Sequence, residues 1–225
     1  MVRRLVIALI AVAGLAGGCG GGEKDNGEAD KTAEQVVADA KSAAIAAKSV
    51  HVAGAIVAAG TPLSLDLELV KGRGGTGSMA QSNLRFEIVR VGDRAYIKGG
   101  KAFLRAFAGP TGARLLRGKW LEGSATSGDL AALEPLTDIA KLTRGALDSH
   151  GTLRNRGRTE YRGQKVVAIK DVTRGGTLYV AATGKPYPVA IVGGTQRGEI
   201  RFDKWNESAT VEAPEGAVDL QSIGR

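Results

Sequence analysis

The sequence predicts an α+β fold dominated by one extensive antiparallel sheet, with helices in the minority. Three observations carry this. Apolar residues recur at three and four residue steps before about Lys48 and at steps of two after His51; glycine-containing turns separate the later segments at hairpin length; and a helical block interrupts them near the middle. The order helix, strands, helices, strands places antiparallel neighbours in one sheet and excludes a regular βαβ alternation.

The first 18 residues read as an export leader. Arg3 and Arg4 precede an apolar run from Leu5 to Ala16, and Ala16-Gly17-Gly18 leads into Cys19, the one cysteine of the chain. That apolar run is about a dozen residues, short of the roughly 20 that a spanning helix requires. A lone cysteine in an exported chain closes no internal disulfide. Its place after small residues resembles the lipobox of bacterial lipoproteins, in which the thiol is diacylated, although Leu15 stands one place earlier than usual; secretion with a free thiol is the other reading. Residues 20–32, GGGEKDNGEADKT, carry charge and glycine with almost no apolar side chain, so a flexible tether is expected there. Residues 33–225 then make one domain, long enough for a substantial core.

Thr32 suits the cap of a helix from Ala33 to about Lys48, with Val36, Val37, Ala40, Ala44 and Ile45 on one stripe. His51 to Ala58 reads as a strand. Leu63, Leu65, Leu67 and Leu69 alternate with Ser64, Asp66, Glu68 and Val70, and Leu84, Phe86 and Ile88 alternate with Arg85, Glu87 and Val89. Arg94 to Lys98 follows the turn at Gly92-Asp93. KAFLRAF (101–107) and the stretch 129–147 read as helical, the second interrupted at Pro135. Five more strands are expected, at 152–159, 165–171, 177–182, 189–192 and 199–205, parted by glycine turns.

The chemistry the sequence offers is sparse. Gly72-x-Gly74-x-x-Gly77 spells a dinucleotide-binding turn, yet it is followed by another strand pattern and not by the helix whose N-terminus would face a pyrophosphate. The glycines are therefore read as a loose connection between two strands. His51 and His150 are the only histidines, and no paired metal-ligand spacing occurs, so neither a metal nor a cofactor is expected. Ser124, Ser127 or Ser149 beside His150 and Asp148 lacks a nucleophile elbow, and the expected class is not an enzyme. The net charge of +8 falls to +6 when Arg3 and Arg4 leave with the leader, which reduces 31 basic residues to 29 against 23 acidic. The basic residues are scattered and aromatics few, so attraction to anionic lipid head groups is the expected use of the charge, and no nucleic-acid partner is expected. Arg154, Arg156 and Arg158 would share one face of a regular strand.

A sheet this large must cover its leucine-rich face. If it curls around the helices, a cavity is left between them; if the leucines fill the space, it closes into a solid core. Here a resemblance adds information. The helix ending in Ala47-Lys48-Ser49-Val50-His51-Val52, YIKG at 96–99, GKWL at 118–121, LYVAATGKPYPV at 178–189 and FDKW at 202–205, together with the lipobox, resemble the LppX and LprA/F/G group of actinobacterial envelope lipoproteins, related in fold to the LolA and LolB lipoprotein carriers. The resemblance implies a single highly curved antiparallel sheet, a half-barrel with helices packed on its concave side, whose apolar cavity binds acyl chains. It implies a protein held on the extracytoplasmic face of the plasma membrane through Cys19, carrying lipid or a lipidated ligand, with an envelope transporter as a further partner. The lining residues expected on this reading are Leu65, Leu67, Phe86, Ile88, Tyr96, Phe103, Phe107, Leu133, Ile139 and Tyr179. The alternative is a protein-interaction or sensor lipoprotein with a filled core.

Overall fold

The computed structural model describes residues 24–58, 60–194 and 197–223. Cys19 and the leader lie outside them. Helix α1 (Ala33–Ala46) starts in a capping box: the Thr32 hydroxyl accepts from the Gln35 amide while the Gln35 side chain accepts from the Thr32 amide, so two orphan donors of the first turn are met. Strands β1 (Ser49–Ala58), β2 (Thr61–Val70), β3 (Gly74–Gln81), β4 (Leu84–Val91) and β5 (Arg94–Gly99) follow as a meander. Then come α2 (Lys101–Leu115), β6 (Leu121–Ser124), a 3-10 turn (Gly128–Leu133) and α3 (Ile139–Leu147). The chain returns through β7 (Leu153–Tyr161), β8 (Gln164–Asp171), β9 (Thr177–Ala181), β10 (Pro188–Val192) and β11 (Arg197–Asp203), and ends with β12 (Val218–Asp219) and α4 (Leu220–Ile223).

All the strands join one open sheet of order β12-β6-β5-β4-β3-β2-β1-β11-β10-β9-β8-β7. Every pairing is antiparallel except β12 with β6. Because β11 returns to lie beside β1, the meander of the first half and that of the second are stitched along β1–β11, with Val52 opposite Phe202 and Gly54 opposite Ile200. The sheet is strongly curved, a half-barrel with its helices on the concave side. Glycines sit where neighbouring backbones close in: a Cβ on Gly54 would overlap the Glu199 carbonyl, and one on Gly77 the Asp66 carbonyl.

Gly72-x-Gly74-x-x-Gly77 is thus not a loose connection. Gly74 and Gly77 belong to β3, which pairs with β2 and β4 along its whole length. The sequence hides this strand because GGTGSMAQ has neither alternation nor β-branched residues beyond Thr76. On the concave face Gly75 leaves room for the Leu69 side chain.

Two clusters fill the concave side. The larger unites Val52, Leu67, Leu69, Ile88, Ile97 and Leu121 of the sheet with Leu104 of α2, Leu130 and Leu133 of the 3-10 turn, and Ile139 of α3. The second packs Val36, Val37 and Ala40 of α1 with Leu147 of α3 on Val167, Ile169, Leu178 and Val180. On the convex face Val89, Tyr96 and Trp120 are covered by the C-terminal segment through Val211, whose side chain is 2 % exposed, and Val218 donates its amide to the Trp120 carbonyl. The core clusters are built from residues between Ala29 and Leu220. A chain begun at residue 20 therefore carries every one of these side chains.

Two local expectations are corrected. The tether expected through residue 32 is not free from Asp25 onward. Asp25 bridges to Thr183, and Arg158 holds its carboxylate at 2.6 and 3.1 Å. Asn155 Nδ2 donates to the Lys31 carbonyl at 2.9 Å, and Glu28 is buried beside the Lys31 ammonium. The polar composition offers little to bury, and polar groups of β7 and the end of β9 order the stretch instead. Nor do Arg154, Arg156 and Arg158 share one face. A bulge between Asn155 and Arg158, with Gly157 at φ 79°, shifts the register so that Arg154 lies opposite Lys170 and Arg158 opposite Val167.

Candidate functional site

The concave side is not filled evenly. Between α3 and strands β1, β2 and β8 to β11 lies a cavity of about 450 Å³. Its wall is apolar: Val37 of α1, Ile56 of β1, Leu63 and Leu65 of β2, Leu142 of α3, Leu178 of β9, Ile191 of β10, and Ile200 and Phe202 of β11. Register explains the selection. Ile56 is opposite Leu63, Gly54 opposite Leu65 and Ile191 opposite Ile200, so one row of inward positions crosses the seam between the two meanders.

Polar groups gather at the rim: Lys141, Ser149, His150, Asp171 and Arg174. Asp171 organises two loops at once, accepting from the Gly151 amide at 2.8 Å and from the Thr173 and Arg174 amides at 2.9 and 2.8 Å. The backbone donors, first that of Arg174, hold its carboxyl below the ordinary value of 3.8. Arg174 in turn donates to Ser149 Oγ at 2.7 Å. Across from them Gly175-Gly176 and Gly193-Gly194 face each other backbone to backbone, and a Cβ on Gly176 would come within 3.2 Å of Gly194. No side chain of these four can close the mouth.

What holds α3 over the cavity was not legible in the sequence. Arg90, on the concave face of β4, donates to Thr137 Oγ1 and to the Thr137 carbonyl, both at 2.8 Å, and to the Gly92 carbonyl at 2.9 Å. Thr137, 1 % exposed, donates its hydroxyl to the Leu133 carbonyl. One residue on, the Asp138 carboxylate caps α3 by accepting from the Lys141 amide. At the other end Asp148 meets Lys41 of α1 at 2.7 Å. The helix is thus pinned to β4 and to α1 and spans the gap between them. An inward-facing arginine in the alternation LRFEIVRV was the available signal.

The expected lining residues separate into three groups. Leu65 lies on the cavity wall. Leu67, Ile88, Leu133 and Ile139 are buried in the filled core, Leu67 and Ile88 at 0 %, with Phe86 and Phe103 half-buried against it and Phe107 exposed. Tyr96 and Tyr179 are on the opposite face. Tyr96 pairs with Val89 in the convex cluster, and Tyr179 stacks on Tyr161 at 4.6 Å. In RAYIKG and TLYVA the neighbours Ile97, Leu178 and Val180 take the concave positions.

A second depression of about 530 Å³ lies over β2 to β5, bordered among others by Ser64, Asp66, Ser78, Arg85, Glu87 and Lys98. It is an open trough with charged walls, so the smaller apolar cavity is the better ligand site. Asp148, Ser149 and His150 do not engage one another: Asp148 is paired with Lys41, Ser149 accepts from Arg174, and His150 Nδ1 lies 2.9 Å from the Gly151 carbonyl. His51 is on the convex face, between Asp203 at 2.7 Å and Asp66 at 3.0 Å, where it ties β1 to both neighbours. Among the described residues no group of three or more His, Cys, Asp or Glu is placed to hold a metal, and no helix is long and apolar enough to cross a membrane.

An open antiparallel half-barrel with an apolar hollow under a bridging helix defines the architectural class. Within that class, the chain is similar in fold to the crystal structure of LprF from Mycobacterium bovis, with a TM-score of 0.56 and 16 % identity, over 82 % of this chain and 97 % of that one. The Mycobacterium tuberculosis lipoprotein LppX aligns with a TM-score of 0.47 and 17 % identity, over 80 % of this chain and 99 % of that one. No family model matches the sequence, and no curated protein matches it.

Proposed function

We propose that the protein is a membrane-anchored envelope lipoprotein that binds the apolar tail of a lipid or other amphiphile, for transport or presentation across the envelope, without catalysing a reaction on it. The observation that carries this is the cavity itself: an apolar wall, a polar rim with Lys141, His150 and Arg174, and a mouth bordered by glycines. An amphiphile suits such a site because its tail gains about 25 cal/mol per Å² on leaving water while its head keeps polar partners at the rim. At about 450 Å³ the hollow falls within the range of small-ligand sites and is large enough for part of a lipid tail. The lipobox-like leader and Cys19 supply the anchor in this reading, with the acylated cysteine at the plasma membrane.

The test is native mass spectrometry of residues 20–225 purified from an actinobacterial host, with lipid extraction of the same sample. A discrete added mass that matches an extracted single-chain or partly inserted lipid is the expected result. Ile200→Trp, which fills the hollow, should abolish that mass while shifting the melting temperature little. A clean apo mass with no uptake on lipid challenge would favour the interaction or sensor module instead.

A further inference from the structure

From Arg94 to Leu121 the chain has seven basic residues and no acidic one. Arg94 and Lys98 are met by Glu122 and Glu87, but Lys101, Arg105, Arg117 and Lys119 have no carboxylate partner among the described residues. The same stretch holds two of the three large apolar side chains exposed among the described residues, Phe107 at 37 % and Leu115 at 70 %. Both are on α2, which buries Leu104 and Ala113 and leaves Arg105 and Arg114 exposed beside them. Helix α2 is broken at Gly109-Pro110, so its outer surface is two short segments and not one rod.

We propose that α2 and the loop to Trp120 form a docking surface for an anionic lipid bilayer, into which Phe107 and Leu115 insert while the basic side chains meet the head groups. Exposed aromatic and leucine side chains among unpaired cations are what an interfacial helix requires, since apolar insertion and lipid charge then act together. A soluble polyanion would use the cations and leave both apolar groups in water. The patch is also continuous with the concave face. Phe107 stacks on Phe103 at 5.7 Å and Phe103 lies 5.2 Å from Phe86, with the Phe103 ring seated in the notch left by Gly99. Across the strands Phe86 is opposite Met79, and Met79 opposite Leu65 on the cavity wall. That row would give a tail an apolar path from bilayer to cavity, a use that rests on the lipid-binding reading; the docking does not.

The experiment is co-sedimentation of residues 20–225, which lack the anchoring cysteine, with vesicles of phosphatidylcholine alone or mixed in equal parts with phosphatidylglycerol. Binding to the mixed vesicles should be at least about a hundredfold tighter and weaken with added salt. Arg105→Glu/Arg114→Glu/Arg117→Glu should lose about a hundredfold, and Phe107→Ser/Leu115→Ser about tenfold, at unchanged melting temperature. In Phe107→Trp the added fluorescence should shift to shorter wavelength on the mixed vesicles. Equal binding to both vesicles, or a Phe107→Ser/Leu115→Ser protein that binds like the parent, overturns the proposal, the latter by reducing it to adsorption on any polyanion. An apo mass in the lipid-retention test would leave this result standing.

Discussion

The two halves of the concave face are built on the same sheet and end differently. Over β2 to β6 the space is filled by leucines and isoleucines carried on short helical pieces: Leu104, Leu130, Leu133 and Ile139 descend onto Leu67, Leu69, Ile88 and Leu121. Over β8 and β9 α1 and Leu147 fill the space in the same way, but along β1, β10 and β11 the equally apolar wall of Ile56, Ile191 and Ile200 borders the hollow, and the loops at its mouth are glycine pairs. A cavity in this fold is therefore a matter of what the helices put opposite the sheet. A dry hollow costs dispersion contacts that its lining would otherwise make, and a ligand tail restores them.

Truncation should separate the halves most clearly. Leu67→Ala, at a fully buried position of the filled half, is expected to cost about 2–5 kcal/mol in urea unfolding, whereas Ile191→Ala on the half-exposed cavity wall should cost about 1 kcal/mol. Equal costs would erase the distinction. Next comes the clamp that keeps α3 in place. Arg90→Met leaves the buried Thr137 carbonyl without its guanidinium donor, so a loss of about 1–3 kcal/mol is expected, with hydrogen exchange faster in α3 than in β1 or β2. Uniform acceleration across the sheet would show that Arg90 supports the whole fold and not the bridge.

The smallest effect sharpens the comparison from the convex side of the seam. Burial lowers the affinity of His51 for a proton, but the hydrogen bonds to Asp203 and Asp66 outweigh it, and the net pKa is raised above 6.5. A raised folded-state pKa means that the stabilisation is fully present below the unfolded value of about 6.5 and is lost as pH rises through the folded one. His51→Gln should thus destabilise by up to about 1 kcal/mol at pH near 5, given the exposure of both carboxylates, and by less near pH 9. A penalty that grows with pH would contradict the arrangement. At the edge, the Arg158 guanidinium, with the Gly27 amide, draws the Asp25 carboxyl down to about 2, so the docking of residues 25–31 should persist until strongly acidic pH.

The strands whose side chains alternate were legible in the residues, as were α1 with its Thr32 cap and the interruption at Pro135. Strand β3 was not, because its pairing is decided by neighbours on both sides and its glycines serve the close approach of those backbones. The candidate site was less legible. Of the expected lining residues Leu65 borders the hollow, while Tyr96 and Tyr179 lie on the convex face, since alternation separates two faces without saying which one the helices cover when both carry apolar residues.

Periodicity, turn chemistry and charge are local properties, and they set the element types, the single amphipathic sheet, the basic excess and the polar stretch before α1. The closing of β11 on β1, the suspension of α3 above the seam by the Arg90 clamp, and the place of the hollow there and not beside Leu67 came from the assembled fold. Those outcomes depend on which strands become neighbours and on how far apart the helices are held, and no spacing along the chain encodes either distance.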